Sequence, residues 1–266
     1  MKLSRVSRGA LATATGVVLF LVYVPLMVVL VNSFSTSQSL SWPPPGFTLE
    51  WWGKAFQSEG ALNAVGTSLQ VGIIATIVAL ILGTAISFAL QRFEFFGRDA
   101  VSLLVILPIA LPGIITGIAL NNFFRTILGV PLSIWTIVIA HATFCVVTVF
   151  NNVIARLRRT GTSLEEASAD LGAGVWTTFR LVTFPQLRSA LFAGGLLAFA
   201  LSFDEIIVTT FTAGVGVTTL PIFILDNMFR PAQAPIVSVI AVVMILVSIV
   251  PIWVAQRLAG NEKVVR

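Results

Sequence analysis

Two carboxylates stand where an apolar chain has least use for them: Asp204 and Glu205 interrupt the hydrophobic run 190–212. An ionised Asp at the centre of hydrocarbon costs roughly 2.5–3.5 kcal/mol on insertion scales, so such acids face a bundle interior, a water-filled path or a pairing group. The chemistry on offer is negative charge for a cation. Successive helix residues point about 100° apart, so the two acids do not look squarely into one cavity. In one arrangement, one acid lines a path beside Phe203 and Thr209 while the other pairs with a partner. In the other, a buried acid is hydrogen-bonded to Ser202, Thr209 or a neighbouring helix. His141 and Cys145, the single residues of their kinds, lie four apart and share a helix face. That spacing can hold a metal, but no third or fourth ligand is near in sequence. A packed polar face between helices suits the pair better.

A second group of acids lies in the stretch 156–188. Ser163-Leu164-Glu165-Glu166 reads as a helix start, with Ser163 as cap and Glu166 reaching back to it. Ala167, Asp170 and Leu171 continue the helix, and Gly172 with Gly174 ends it. A second segment, 175–183, has apolar residues at Val175, Phe179 and Val182, which is helical spacing, and Pro185 is expected to stop it. Leu164, Ala167 and Leu171 share one face. Such a loop can rest on lipid headgroups, but Glu165, Glu166 and Asp170 are repelled by an anionic leaflet. A protein groove is the better partner.

A third group consists of helix breakers. Pro108, Pro112, Gly113 and Gly117 fall inside an otherwise apolar run, and a mid-helix proline removes a hydrogen bond and kinks the helix. Broken helices in membranes line a cavity or pack against protein. The group is therefore read as a bend at a path or gate, or as a packing kink between small residues. Asn121 and Asn122, a few residues on, either face that path or cap the helix end.

The elements that position these residues are set by hydropathy. The chain has 266 residues, 57% hydrophobic and only 10% charged, with a mean hydropathy of +0.99. Soluble domains carry about a quarter charged residues. Six apolar stretches are long enough to cross a bilayer, given that about 20 residues are needed. They fall at 10–31, 64–90, 101–124, 132–155, 190–212 and 236–258, so the class is an all-α integral membrane protein, a single transmembrane domain over 1–266. With a cytoplasmic N-terminus, thirteen of the sixteen Lys and Arg residues lie inside, from Lys2 through Arg92 and Arg156 to Lys263 and Arg266. Lys54, Arg125 and Arg230 lie outside. The positive-inside rule then places both termini in the cytoplasm. The basic charge is a topology signal, since no aromatic-interleaved basic cluster points to nucleic acid. In the outer loop, Trp42-Pro43-Pro44-Pro45-Gly46 is too stiff for helix, and Trp51-Trp52 suits an interfacial belt or a helix lying on the membrane.

The run Glu165-Glu166-Ala167-Ser168-Ala169-Asp170-Leu171-Gly172-Ala173, followed by Phe184-Pro185, resembles the EAA loop of ABC-importer permeases. Ser168 stands in place of the second alanine. The resemblance covers nearly the whole chain and is closest to the second permease of polyamine (spermidine/putrescine) importers, including the YdcV-like branch. It extends through Arg92-Phe93-Glu94-Phe95-Phe96-Gly97-Arg98, Leu107-Pro108-Ile109-Ala110-Leu111-Pro112-Gly113 and Leu201-Ser202-Phe203-Asp204-Glu205-Ile206, to Thr219-Leu220-Pro221.

The resemblance implies a type I importer permease fold in a bacterial inner membrane. It makes Glu165, Glu166, Ala167, Asp170, Leu171 and Gly172 a coupling helix seated in an ATPase cleft, with Gly172 allowing close backbone approach. It also implies a second homologous permease chain, two ATPase subunits and a periplasmic or lipid-anchored solute-binding protein. ATP and Mg would sit on the ATPase partner and no cofactor on this chain, which has no G-x-x-x-x-G-K-[ST] run to cradle phosphates. Other small amines or organic solutes are alternative substrates. An intramembrane protease lacks its nucleophile turn here, and a lone secondary transporter lacks its inverted repeat.

Overall fold

In the computed structural model, residues 4–260 are described, and Lys2, Lys263 and Arg266 of the topology count lie outside them. The described chain is helical, with one isolated antiparallel bridge between Ser35 and Phe47. It divides into two compact units. One comprises the chain up to Leu62 together with Ile224–Ile249. The other comprises Asn63–Phe223 and the residues from Val250 onward.

The first unit contains α1 (Arg5–Asn32) and α2 (Glu50–Gln57). The loop between them is a folded cap, not a free strap. Thr36 N–H donates to Gly46 O at 3.0 Å and Thr48 N–H to Phe34 O at 2.6 Å. The stiff Trp-Pro run is non-helical, as expected. The tryptophan pair departs from the belt expectation. Trp51 is buried and its Nε1 donates to Ser35 O at 2.9 Å, while Trp52 stacks on Phe34 at 5.3 Å. An indole with one apolar body and one donor is satisfied inside a loop cap as well as at a headgroup.

The second unit begins with most of α3 (Glu59–Arg92), followed by α4 (Arg98–Ala110) and α5 (Gly113–Asn122), which runs into a π-helical turn, Phe123–Ile127. Then come α6 (Ile134–Thr160), α7 (Ser163–Asp170), α8 (Val175–Thr178), a second π turn (Phe179–Thr183), α9 (Phe184–Phe203), α10 (Ile207–Thr212) and the start of α11 (Leu220–Asn227). The last helix, α12 (Ala234–Gly260), carries the sixth apolar stretch.

Helix α6 is the mast of this unit. It opens with a capping box, Ser133 with Thr136, and buries Cys145, Val149, Val153 and Leu157 with Ala79 of α3 and Leu187 and Ala198 of α9. Ser87 Oγ donates to the Gly83 carbonyl of its own helix at 2.7 Å and lies 3.3 Å from Phe150 O of α6. The opposite face of α3 exposes Ile73, Ile77 and Ile81 at four-residue spacing. A helix that is apolar on its outer face is suited to lipid, not water.

Among the described residues, four helical stretches are long and apolar enough to cross a membrane: Ser7–Asn32, Glu59–Arg92, Ile134–Thr160 and Val175–Phe203. The third expected span differs from a kinked rod. Arg98–Ala110 and Gly113–Ile127 are bent by 107°. The break falls at Leu111 and Pro112, not at Pro108, which lies inside α4. Pro112 has no N–H, and its ring drives Leu111 out of the helical region to φ −84°, ψ 142°.

The fifth expected span differs too. Helix α9 stops at Phe203, and α10 restarts at Ile207, so Asp204 and Glu205 occupy a break, not the middle of a helix. Its beginning is also corrected: Pro185 does not stop the preceding segment, and Val175–Phe203 runs on as one apolar helical stretch. The π turn explains why. Phe184 N–H returns to Phe179 O, five residues back, and this wide turn makes room for the proline ring. Arg156 to Thr160 belong to α6, which shortens the expected 156–188 loop to little more than 161–174.

Candidate functional site

The two breaks meet. A small cavity of about 190 Å³ is lined by Pro108, Ile109, Leu111, Gly113 and Thr116 from the first break, by Phe144 of α6, and by Leu201, Glu205 and Val208 from the second. Glu205 is its single acidic residue. The carboxylate is half-buried, and its Oε1 accepts the Val208 N–H at 2.8 Å, which caps α10. A carboxylate is favoured there, because the first N–H groups of a helix have no partner inside it. Asp204 ends α9 and is exposed. The structure therefore separates the acids: Glu205 faces the cavity and Asp204 does not line it.

Glu205 is held in place by neighbours that fold the break. Thr209 Oγ1 donates to Glu205 O at 2.8 Å. Thr209 is fully buried and does not line the cavity, because its hydroxyl also contacts His141 Nε2 at 2.9 Å. His141 Nδ1 meets Ser202 Oγ at 2.8 Å. One histidine on α6 thus staples the end of α9 to the start of α10. Which ring nitrogen donates follows from the tautomer, and either tautomer ties the ring to both hydroxyls. Cys145, one turn on, donates to Ala198 O at 3.2 Å. The pair shares a packed polar face between helices.

On the other side, α5 clamps α10. A Cβ added at Gly117 would lie 2.7 Å from the Phe211 ring, so only glycine allows this approach. Asn121 Nδ2 donates to Phe211 O at 2.6 Å, which makes Asn121 part of the clamp. Gly113 has ordinary room, 3.7 Å from Ile207. Phe203 packs on Phe199 at 5.5 Å. Sequence reasoning did not single out Thr116 or Phe144; a hydroxyl and a ring in apolar helices give no signal until the break brings them together.

The loop acids lie in the 161–174 region. Helix α7 starts at the expected cap itself: Thr162 is the N-cap, Ser163 is the first helical residue, and no side-chain capping bond forms. The expected Ser163–Glu166 box is therefore absent, because Glu166 N–H already bonds Thr162 O at 2.9 Å. Glu165 turns inward, to Arg92 Nη2 and Thr183 Oγ1, each at 2.9 Å. Glu166, Ala167 and Asp170 stay exposed. Leu171 is 89% exposed and Val175 90%, with Leu164 and Trp176 also open, so the turn presents a bare apolar patch beside acids. Gly172 has φ +79° with nothing within 4 Å of a Cβ. Within this chain, the backbone conformation by itself favours glycine there.

Among the described residues the geometry defines a helical protein without strands, with several helices apolar enough to cross a membrane, a half-open cavity where two helix breaks meet and an exposed acidic-apolar turn. A family profile described as binding-protein-dependent transport system inner membrane component matches residues 75–261. The chain belongs to that family: it is a membrane permease component of a binding-protein-dependent transport system and not an enzyme. It is 30% identical over 261 residues to the spermidine/putrescine transport system permease protein PotC of Escherichia coli (strain K12), covering 98% of this chain and 96% of that one. It is 32% identical over 251 residues to the putrescine transport system permease protein PotI of the same organism, covering 91% and 88%. Its fold matches a chain in the crystal structure of a bacterial ABC transporter involved in the import of the acidic polysaccharide alginate. The TM-score is 0.75 at 16% identity, covering 97% of this chain and 99% of that chain.

Proposed function

We propose that this chain is one of two homologous permease chains of an ATP-driven importer, and that it passes small organic cations of the putrescine and spermidine type past Glu205. One conjunction supports the substrate class: chain-long similarity to polyamine permeases, and a lone acid in a largely apolar cavity where two helix breaks meet. An ammonium group needs the carboxylate, and its methylene stem is suited to Ile109, Leu111, Leu201 and Val208. At 4 Å the attraction is about 4 kcal/mol at an effective dielectric of 20, before both ions are dehydrated.

In this reading the whole of 1–266 serves as one permease domain. It crosses the membrane six times, through α1, α3, the bent α4–α5 pair, α6, the α8–α10 run and α12, with both termini in the cytoplasm. The exposed α7–α8 turn, with Leu164, Glu166, Ala167, Asp170 and Leu171, docks on an ATPase subunit that holds the ATP and Mg. A solute-binding protein delivers the amine from outside. Closure of two ATPase subunits moves the turn, and the path alternates between its two openings by rigid-body motion of the helices.

The test is ATP-dependent uptake of putrescine by the complex carrying Glu205→Gln or Asp204→Asn. Glutamine can still accept the Val208 N–H, so Glu205→Gln removes charge without removing the cap. Uptake at low putrescine should fall at least about tenfold, the equivalent of 1.4 kcal/mol, and by more than in Asp204→Asn. Wild-type uptake by Glu205→Gln would contradict the assignment.

A further inference from the structure

Helix α7 is bounded by two glycine turns, at Gly161 with φ +64° and Gly172 with φ +79°. Among the described residues, its side chains make two kinds of polar tie. Ser168 joins it to Thr178 of α8 at 3.0 Å. Glu165 joins it to everything else: Oε1 receives Arg92 Nη2 from the last turn of α3 and Thr183 Oγ1 from the π turn ahead of α9. The same Nη2 donates to Gly161 O at 3.2 Å. The ion-paired side chains are only 15% and 25% exposed. Beside them is a cavity of about 430 Å³ that Phe88, Phe93, Ala169 and Phe179 also line. The ion pair thus joins α7 to α3 beside this pocket.

We propose that the Arg92–Glu165–Thr183 cluster is a strut that delivers a push on α7 to α3 and α9 together. Arg92 and Thr183 are then positioning residues for coupling, acting through Glu165 and not by touching ATPase or solute. The proposal rests on α7 being the docking helix. Its physical content is that α3 is one unbroken helix and α9 leads directly to the break that presents Glu205. A displacement carried only by two glycine turns would be lost in backbone rotation. One carried by a partly buried ion pair and a hydroxyl moves both helices as a body.

The experiment uses the full complex, with both permease chains, the ATPase subunits and the binding protein, in proteoliposomes. It measures amine transported per ATP hydrolysed and the amount of ATPase that copurifies. In Arg92→Gln and in Thr183→Val the ATPase subunits should stay bound, while amine per ATP falls by about fivefold or more, the lower end of ordinary coupling effects. The reversed pair, Arg92→Glu with Glu165→Arg, should transport more per ATP than Arg92→Glu alone. A wild-type ratio in both single variants overturns the strut, as does a reversed pair no better than Arg92→Glu. Loss of the ATPase from Arg92→Gln also overturns it, because the cluster would then belong to the docking contact. Leu171→Asp isolates the underlying reading: if that variant keeps its ATPase, α7 is not the docking helix.

Discussion

Glu205 does two things with one carboxylate, capping α10 through Val208 N–H and placing charge on the cavity. Its position depends on His141, whose two ring nitrogens are spent on Ser202 and Thr209 across the break. Replacing His141 by Phe leaves both hydroxyls without that partner in a buried setting. Interhelical hydrogen bonds in membrane proteins average about 0.6 kcal/mol and reach about 1.7, so His141→Phe should lower stability by about 1–2 kcal/mol. Thermal unfolding of the detergent-solubilised complex measures this; an unchanged midpoint would mean that the staple carries no load. Gly117→Leu attacks the same place from α5, because even a Cβ there meets the Phe211 ring. At this scale much was legible. Two acids in an apolar run announce themselves through the cost of burying charge, and His141 with Cys145 reads as a polar face. The division of roles between Asp204 and Glu205 was not legible, since it follows from which acid caps α10.

The helix breaks differ in how they declare themselves. The first is written in Pro112, which biases Leu111 away from the helical region, whereas Pro108 one turn earlier stays inside α4. The second has neither proline nor glycine. Ser202-Phe203-Asp204-Glu205-Ile206 carries two acids but no breaker, and the staple from α6, the clamp from α5 and the Glu205 cap together hold the break, so local rules pass over it. Pro185 is the converse case, a breaker absorbed by a π turn. Helix α7 shows how a small shift matters: with Thr162 as N-cap, Glu165 stands at the third helical position and turns inward to Arg92 and Thr183 instead of reaching back to the cap. Its far end depends on Gly172 at positive φ, where a side chain bearing Cβ costs about 1–2 kcal/mol and Asn is the better tolerated replacement. Gly172→Val should therefore reduce the ATPase that copurifies, and Gly172→Asn should reduce it less. Equal loss from both would mean that bulk at the turn, not backbone conformation, is what the position excludes.

Across the whole chain, composition already marks a membrane protein, because a chain with 10% charged residues cannot cover itself in water. What hydropathy does not convey is which helices are mast and which are periphery. Helix α6 buries about half of its residues while α4 buries none, yet α4 is the more apolar of the two, since lipid and protein interiors ask for the same side chains. The account as a whole claims that this permease turns ATP hydrolysis outside its own chain into directed movement of an organic cation. The most direct test is accumulation of radiolabelled putrescine and spermidine in proteoliposomes holding the assembled complex, with ATP on the side of the ATPase subunits and binding protein on the other. The account predicts accumulation that requires both, and that is lost when Leu171→Asp breaks the docking turn. Accumulation without ATP would contradict the importer reading, and ATPase activity stimulated by the binding protein without any amine uptake would contradict the cation.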